Sequence, residues 1–398
     1  MKKLQIVKKY VNVTDVKVLT NIRFYTVAGI AQYLSNFIRY NERTSEASID
    51  IYGVDIMLPG EEQNLRTTEI ASMKHFHLLA RTIAYPSLKD VVHTAKSLDD
   101  VRTAYASVTD AYYEAIEKVR PDVILVNGTF FLPWCLLQAA LRYGKARIVL
   151  HYHGVLTKEV EHWKEEDAKQ LFHKMEREFD RPEVSYVFPS RHAKRTVERE
   201  VYNHPVRRSI VLPNPVSKSF FRAPKRRKNP VIGMVSRWTK VKNPSFLISL
   251  ARYSKKTDSG YEIHAITDIK PHMPDYRKVL SLITLFSPVE NHRLPAFYRN
   301  LGVLILPSHF ETYGNVAQEA LATGVPVLVS SKAGVAETLK NVGLSDWVID
   351  FSSPEKVLEK VEEVIDAGVP EKSLKRLRAD YTNETIYSKY ARFLRDEQ

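Results

Sequence analysis

Residues 303–337, VLILPSHFETYGNVAQEALATGVPVLVSSKAGVAE, limit the fold more than any other stretch of this chain. Val303–Leu306 is a short, branched, apolar run of strand length. A polar loop follows over residues 307–314. Asn315 then suits an N-cap, and Val316, Ala317, Ala320 and Leu321 fall on one helical face. Gly324 stops that helix, Pro326 bars its continuation, and residues 325–329 predict the next buried strand. Strand, helix and second apolar strand in this order make a β-loop-α-β unit, which belongs in a parallel sheet.

Two glutamates carry the chemistry of this unit. Glu311 lies in the loop before the helix and Glu319 on its second turn, with Gly314 between them, where bare backbone can approach a ligand. Free N–H groups at a helix start attract an anion such as phosphate. A carboxylate beside them contacts phosphate poorly but accepts hydrogen bonds from hydroxyls, and a sugar or ribose diol supplies a matched pair. The pattern asks for a ligand with both groups, a nucleotide sugar. The spacing alone fits a second reading equally well, with Glu311 complementing the helix dipole and Glu319 merely solvated.

At 398 residues the chain predicts two domains, because single cores rarely grow so large. Its 44% hydrophobic and 26% charged residues are ordinary for a soluble globular protein. The one cysteine, Cys135, sits in an apolar run, reads as a core residue and leaves no internal disulfide. Lys8 and Lys9 interrupt any signal-peptide core, and the longest apolar stretch, 129–141, is too short to span a bilayer and contains Pro133. The formal net charge of +13 calls for an anionic partner: nucleic acid, an anionic membrane surface or a phosphorylated substrate.

Along the first half, strands are predicted over 17–24, 49–54, 122–126 and 147–150, with helices over 107–119 and 132–141. This alternation marks a doubly wound domain. Val27, Ala28 and Gly29 form a small-residue turn before a helix carrying Ile30, Leu34, Phe37 and Ile38. Such a turn can meet a ligand's polar group or be an ordinary β-α connection. His151 and His153 share a face at a strand's carboxyl end, where ligands of such sheets bind. No Asp, Glu or Cys stands at ligand spacing, so no metal is expected there. His151 reads as structural, as do His75 and His77, whereas His153 before Gly154 is a candidate functional residue.

Residues 159–181 predict a highly charged, solvated helix. Residues 191–228 are dense in Lys and Arg, with Glu198 and Glu200 as their acids. That density fits a solvated surface and linker, or a contact with anionic lipid head groups or a lipid pyrophosphate. No nucleic-acid module with interleaved aromatics is present, so no nucleic-acid partner is expected. In the second half a strand over 231–236 runs into Arg237, with Lys242 five residues on. Two fixed cations there can grip a diphosphate and stabilise it as it leaves. A helix over 246–252, a strand over 262–267, a turn at 285–289 and a helix over 294–300 precede the central unit. A strand over 348–351, a helix over 354–367 and a helix over 374–394 follow it.

The chain resembles the family-4-type glycosyltransferases. The residues that carry the resemblance are Pro307-Ser308, Glu311-Thr312-Tyr313-Gly314 and the run from Glu319-Ala320 through Gly324-Val325-Pro326-Val327, with Arg237, Lys242 and His153-Gly154. Ala28-Gly29 stands for the family's Gly-Gly, Asn243 for a Gly after the Lys, and Pro215 for a Gly in Asn214-Pro215-Val216. The resemblance implies an α/β fold with two Rossmann-like domains facing a cleft, the GT-B architecture. It divides the chain into an acceptor-side domain (1–218), a nucleotide-sugar domain (219–375) and a C-terminal helix crossing back (376–398). By the same resemblance Arg237 and Lys242 bind the diphosphate, helped by backbone at Gly29, Gly314, Asn315 and Val316. Tyr313 belongs to the same donor loop, Val289 to the base-binding turn, Glu319 takes ribose hydroxyls, Glu311 takes donor-sugar hydroxyls, and His153 closes over the sugar.

No Asp-x-Asp occurs in the chain, so transfer is expected without metal or cofactor, with a nucleotide-diphosphate sugar as co-substrate. Similarity implies retention of anomeric configuration. The expected acceptor is a glycan, lipid or lipid-linked sugar. The expected setting is cytoplasmic, with peripheral contact at the anionic inner membrane face. An epimerase or hydrolase on the same scaffold, or a non-catalytic basic scaffold subunit, are the alternative expectations.

Overall fold

The computed structural model describes residues 16–23, 29–44, 49–61, 72–222 and 229–396. Val27, Ala28 and the basic 225–228 run lie outside the described residues. The first sheet holds β1 (Val16–Asn21), β2 (Ile49–Met57), β3 (Phe76–Thr82), β4 (Val123–Asn127), β5 (Arg147–His151), β6 (Val184–Phe188) and β7 (Ser209–Val211). The second holds β8 (Val231–Val235), β9 (Glu262–Ile266), β10 (Thr284–Phe286), β11 (Val303–Leu306), β12 (Val327–Ser330) and β13 (Val348–Ile349). Their orders are β3-β2-β1-β4-β5-β6-β7 and β10-β9-β8-β11-β12-β13, and every pairing is parallel. This is a pair of Rossmann-like α/β sheets. Each reverses its winding once, between β1 and β4 and between β8 and β11, and ligands of such sheets collect beyond the strand ends at that reversal.

The burial follows from the residues. β4 and β11 are buried along their whole length and, apart from Asn127 at the end of β4, apolar, as strands covered on both faces must be. One face of the first sheet is filled by Tyr112 and Ile116 of the Ala106–Val119 helix and Trp134 of the Phe131–Tyr143 helix. The opposite face is filled by Leu34, Phe37 and Ile38 of the Gly29–Arg43 helix and by Tyr387, Tyr390 and Leu394 of the Asn383–Leu394 helix. The last helix therefore leaves the second sheet and completes the core of the first.

Three local expectations change. The helix over 374–394 is two helices, Glu371–Asp380 and Asn383–Leu394. At the break the Val216 N–H donates to the Tyr381 carbonyl at 2.8 Å and Val216 pairs with Thr382, so the chain's two crossings run side by side. Residues 76–82 form a strand that the pattern did not reveal; His77 stacks on Tyr52 and His75 Nδ1 lies 3.2 Å from Asp50. The charged 159–181 segment is not a solvated helix throughout. Its Glu166–Arg177 helix buries Ala168, Leu171, Phe172, Met175 and Glu176, because its charges lie on the opposite face. The Glu176 carboxylate accepts the Leu156 and Thr157 N–H groups at 2.8 and 2.7 Å, starting the short Leu156–Val160 helix.

Candidate functional site

At the β8/β11 reversal the structure gathers the expected cations and one glutamate. Arg237 and Lys242 follow β8, and Glu311 follows β11. Asn243 has φ of 56°, the left-handed conformation for which glycine is the usual residue. Its side chain earns its place twice. Oδ1 accepts the Phe246 N–H at 3.3 Å, capping the Pro244–Lys256 helix, and Nδ2 donates to the Pro307 carbonyl at 3.2 Å. The loop after β8 is thereby tied to the loop after β11. Lys242 Nζ lies 2.7 Å from Glu311 Oε1, and the Ser308 hydroxyl donates to the same oxygen at 3.3 Å. Arg237 is mostly exposed, with Nη2 3.8 Å from Glu159 Oε2 of the first domain.

The helix after the loop spans Asn315–Ala322, and its N-cap is Gly314 rather than Asn315. Gly314 sits at φ of 106°, where a Cβ would come within 2.7 Å of Leu306 Cδ2. No side chain caps this helix start, so its first N–H groups have no side-chain acceptor. Asn315 instead points its Oδ1 to Asn214 Nδ2 at 2.8 Å, and Val316 is half-buried. Tyr313 does not present its ring to a ligand: it is buried in the second core, its hydroxyl 2.8 Å from Thr338 Oγ1 and its carbonyl accepting the Val335 N–H. It supports the loop from beneath.

Glu319 lies on the same helix, with Oε1 accepting from Asn291 Nδ2 at 2.9 Å and Oε2 from the Tyr298 hydroxyl at 3.0 Å. Burial pushes its carboxyl up to about 7, although both donors pull it down. It lines a cavity of about 170 Å³ with Val289, Asn291, Asn315 and Asn214 from one side and Gln32, Tyr33 and Asn36 from the other. Gly29 opens the helix that supplies those last three residues.

His153 reaches the site from the first domain. Its Nε2 is 2.7 Å from Asn127 Oδ1, an acceptor that selects the tautomer protonated at Nε2. Burial drives its pKa down to about 3, so the imidazole is neutral. His151 packs against it at 4.0 Å between ring centroids, is fully buried and meets the Tyr390 hydroxyl. Thr312 Oγ1 donates to the His153 carbonyl at 2.7 Å, and Ser190 Oγ donates to the Thr312 carbonyl at 2.7 Å. Glu337 accepts the N–H groups of Arg191 and His192 at 3.0 and 2.7 Å. A side chain at Gly334 would collide with the Thr312 carbonyl and with Ser190. The loop over 307–314 is clasped between the two domains.

Two family models match the chain. The family model described as Glycosyltransferase Family 4 matches residues 76–220, and that described as Glycosyl transferases group 1 matches residues 216–383. The chain belongs to the family-4-type glycosyltransferases. Within this family the capsular polysaccharide biosynthesis glycosyltransferase CapM of Staphylococcus aureus is 28% identical over 112 residues, 26% of this chain and 29% of that protein. Across the curated relatives with the strongest matches, the aligned stretch spans 21–41% of their own length. The fold likeness covers far more. Sucrose-phosphate synthase of Thermosynechococcus elongatus superposes with a TM-score of 0.72 at 14% identity, over 96% of this chain and 98% of that one. HepE of Anabaena, solved in complex with UDP, gives 0.68 at 14%, over 96% and 100%.

Several residues around these candidate groups carry no motif in the sequence. Asn291 and Tyr298 hold Glu319 but come from a segment without a motif. Asn127 was visible only as the polar end of a buried strand. Ser190, Thr312 and Glu337 join domains far apart in sequence. Among the described residues no group of three or more His, Cys, Asp or Glu could hold a metal, and no helix is long and apolar enough to cross a membrane.

Proposed function

We propose that this chain transfers a sugar from a nucleotide-diphosphate sugar to an acceptor hydroxyl. The observation that carries this reading is the convergence of Arg237, Lys242 and Glu311 at the β8/β11 reversal, beside the uncapped helix start and the Glu319 cavity. The HepE complex with UDP, a protein of the same fold, supports it. In this reading the diphosphate lies against Arg237, Lys242 and the backbone of Gly314, Asn315 and Val316, with Gly29 at its far side. The base lies by Val289, the ribose diol donates to Glu319, and the donor sugar to Glu311. Tyr313 acts only through the loop it supports. His153 closes over the sugar as a neutral imidazole, so it contributes hydrogen bonding and shape and no positive charge.

In the transfer step the acceptor oxygen bonds to the anomeric carbon as the bond from that carbon to the diphosphate breaks. The electron pair stays on the diphosphate, and one of its oxygens takes the acceptor proton. Attack on the same face as the leaving group retains configuration. Arg237 and Lys242 stabilise the charge that develops on the diphosphate, so we propose transfer independent of metal and cofactor. The acceptor, a glycan, lipid or lipid-linked sugar, approaches from the first domain. We place the reaction in the cytoplasm, with exposed basic residues such as Arg207 and Arg208 available for an anionic membrane surface and no role for nucleic acid.

The test is a melting-shift screen of the full chain against a panel of nucleotide sugars, repeated with Arg237→Ala and Glu319→Ala. At least one donor stabilises the protein, and each variant weakens it tenfold or more. Failure of every donor, or unaffected binding in both variants, overturns the proposal. Turnover that vanishes with EDTA refutes metal independence, and sugar release without an acceptor favours a hydrolase.

A further inference from the structure

We propose that the acceptor carries an apolar body, an alkyl or aryl aglycone, and that this body lies in a cleft at the β1/β4 reversal of the first sheet. This rests on the glycosyl-transfer reading above. The molecule has two winding reversals, and most of the donor groups gather at one. The other opens into a cleft of about 330 Å³ between the ends of β1 and β4. Its walls include Ile22, Leu88, Tyr105, Phe130, Phe131 and Leu132. Leu88 and Phe130 are each 37% exposed, two of only five large apolar side chains so exposed among the described residues. Apolar surface left open at a strand-end crevice is what a ligand with an apolar part would cover.

Several polar groups of the cleft are already engaged. Asn21 Nδ2 donates to the Asn127 carbonyl at 3.0 Å, and Asn21 Oδ1 accepts the Asn127 N–H at 2.8 Å. Arg23 donates to the Tyr85 hydroxyl at 2.6 Å and to Glu61 at 3.2 Å. A ligand made only of hydroxyls would find few partners along these walls and would leave its own groups unpaired. The inner end is different. Asn127 lines the cleft and also holds His153 at 2.7 Å, and the His153 carbonyl is bonded to Thr312 of the donor loop. An acceptor hydroxyl placed at Asn127 and His153 faces the donor sugar, and the rest of the acceptor then runs outward over Phe130 and Leu88.

The experiment titrates the full chain with hexyl β-glucoside, 4-nitrophenyl β-glucoside and free glucose by calorimetry, and measures the nucleotide-sugar melting shift separately. At least one glucoside binds tenfold or more tighter than glucose. Phe130→Asp and Leu88→Asp, both at partly exposed positions, each weaken it at least tenfold and leave the nucleotide-sugar shift in place. Preference for hexyl points to a lipid source and preference for nitrophenyl to an aromatic one; either supports the cleft. Equal binding of glucose, or glucosides indifferent to both variants, overturns it. Glucoside binding without any nucleotide-sugar binding would keep the cleft and defeat the glycosyl-transfer reading, while the reverse would defeat the cleft alone.

Discussion

Glu319 is a carboxyl that the fold holds near the midpoint of its titration. Burial raises it from 4.5 to about 7 against the pull of Asn291 and Tyr298. The sign follows. Between those two values the folded chain keeps a proton that the unfolded chain releases, so this group's contribution to stability is lost as pH rises through the window. Binding runs the other way if ribose hydroxyls donate to the ionised form. Donor affinity should fall by up to about tenfold per pH unit below 7 and level off above it. The profile should flatten in Glu319→Gln. Titration of the best-binding nucleotide sugar from pH 5.5 to 8.5 checks this, and a flat wild-type profile would contradict it.

Lys242 and Glu311 make a second residue-scale case. They are only 14% and 17% exposed, so removing either leaves a poorly hydrated charge behind. Lys242→Met and Glu311→Gln should each destabilise the chain, and the double variant should lose less than the sum, with a coupling of about 1–3 kcal/mol in urea unfolding. The spacing of Glu311 and Glu319 was legible because both sit on one continuous strand-loop-helix unit. Their partners were not, because Asn291, Tyr298 and Lys242 arrive from other segments, and only Lys242 carried a motif.

At the scale of elements, most strands and long helices announced themselves through apolar period and terminators, whereas β10 at Thr284–Phe286 falls where a turn is expected. The misses have local causes. Asn315 looks like a cap, yet the left-handed turn that aims the loop can be made only at Gly314, so the cap position moves back by one. Gly314→Ala should cost about 1–3 kcal/mol in thermal unfolding, through its φ and its collision with Leu306, and should weaken donor binding as the helix start shifts. Asn243 shows the converse. It holds the conformation of the glycine it replaces and adds a cap, so Asn243→Gly should cost only a few tenths of a kcal/mol, whereas Asn243→Ala should cost about 1–2 kcal/mol. Equal costs in urea unfolding would show that the lost cap, common to both variants, outweighs the backbone at this position. The break in the final helix escaped notice because Tyr381-Thr382 contains neither Gly nor Pro; it is made by tertiary pairing to Val216.

At the scale of the whole molecule, polar contacts between the described residues of the two Rossmann-like sheets set how they meet. Glu337 bonded to Arg191 and His192, Ser190 to Thr312, and Thr312 to His153 hold the 307–314 loop against the first domain. Glu337 touches none of the expected donor groups, so Glu337→Ala should act by loosening closure. The radius of gyration in small-angle scattering should rise and turnover should fall, with donor affinity changed less than threefold. Unaltered scattering together with unaltered turnover would show that this contact does not hold the domains. None of this was visible in the sequence, since contacts between Ser190 and Thr312 or Arg191 and Glu337 leave no local pattern.

The helix that returns to the first sheet also imposes an order on manufacture. Tyr387, Tyr390 and Leu394 complete a core whose last strand, β7, ends at Val211, so roughly 170 residues must still be added before that face can close. At ~5–20 residues per second, that is about 10–35 s during which Phe37 and Leu34 lack their cover. A nascent chain stalled before Asn383 would keep this aromatic face open, because the twelve residues of the Asn383–Leu394 helix supply its cover.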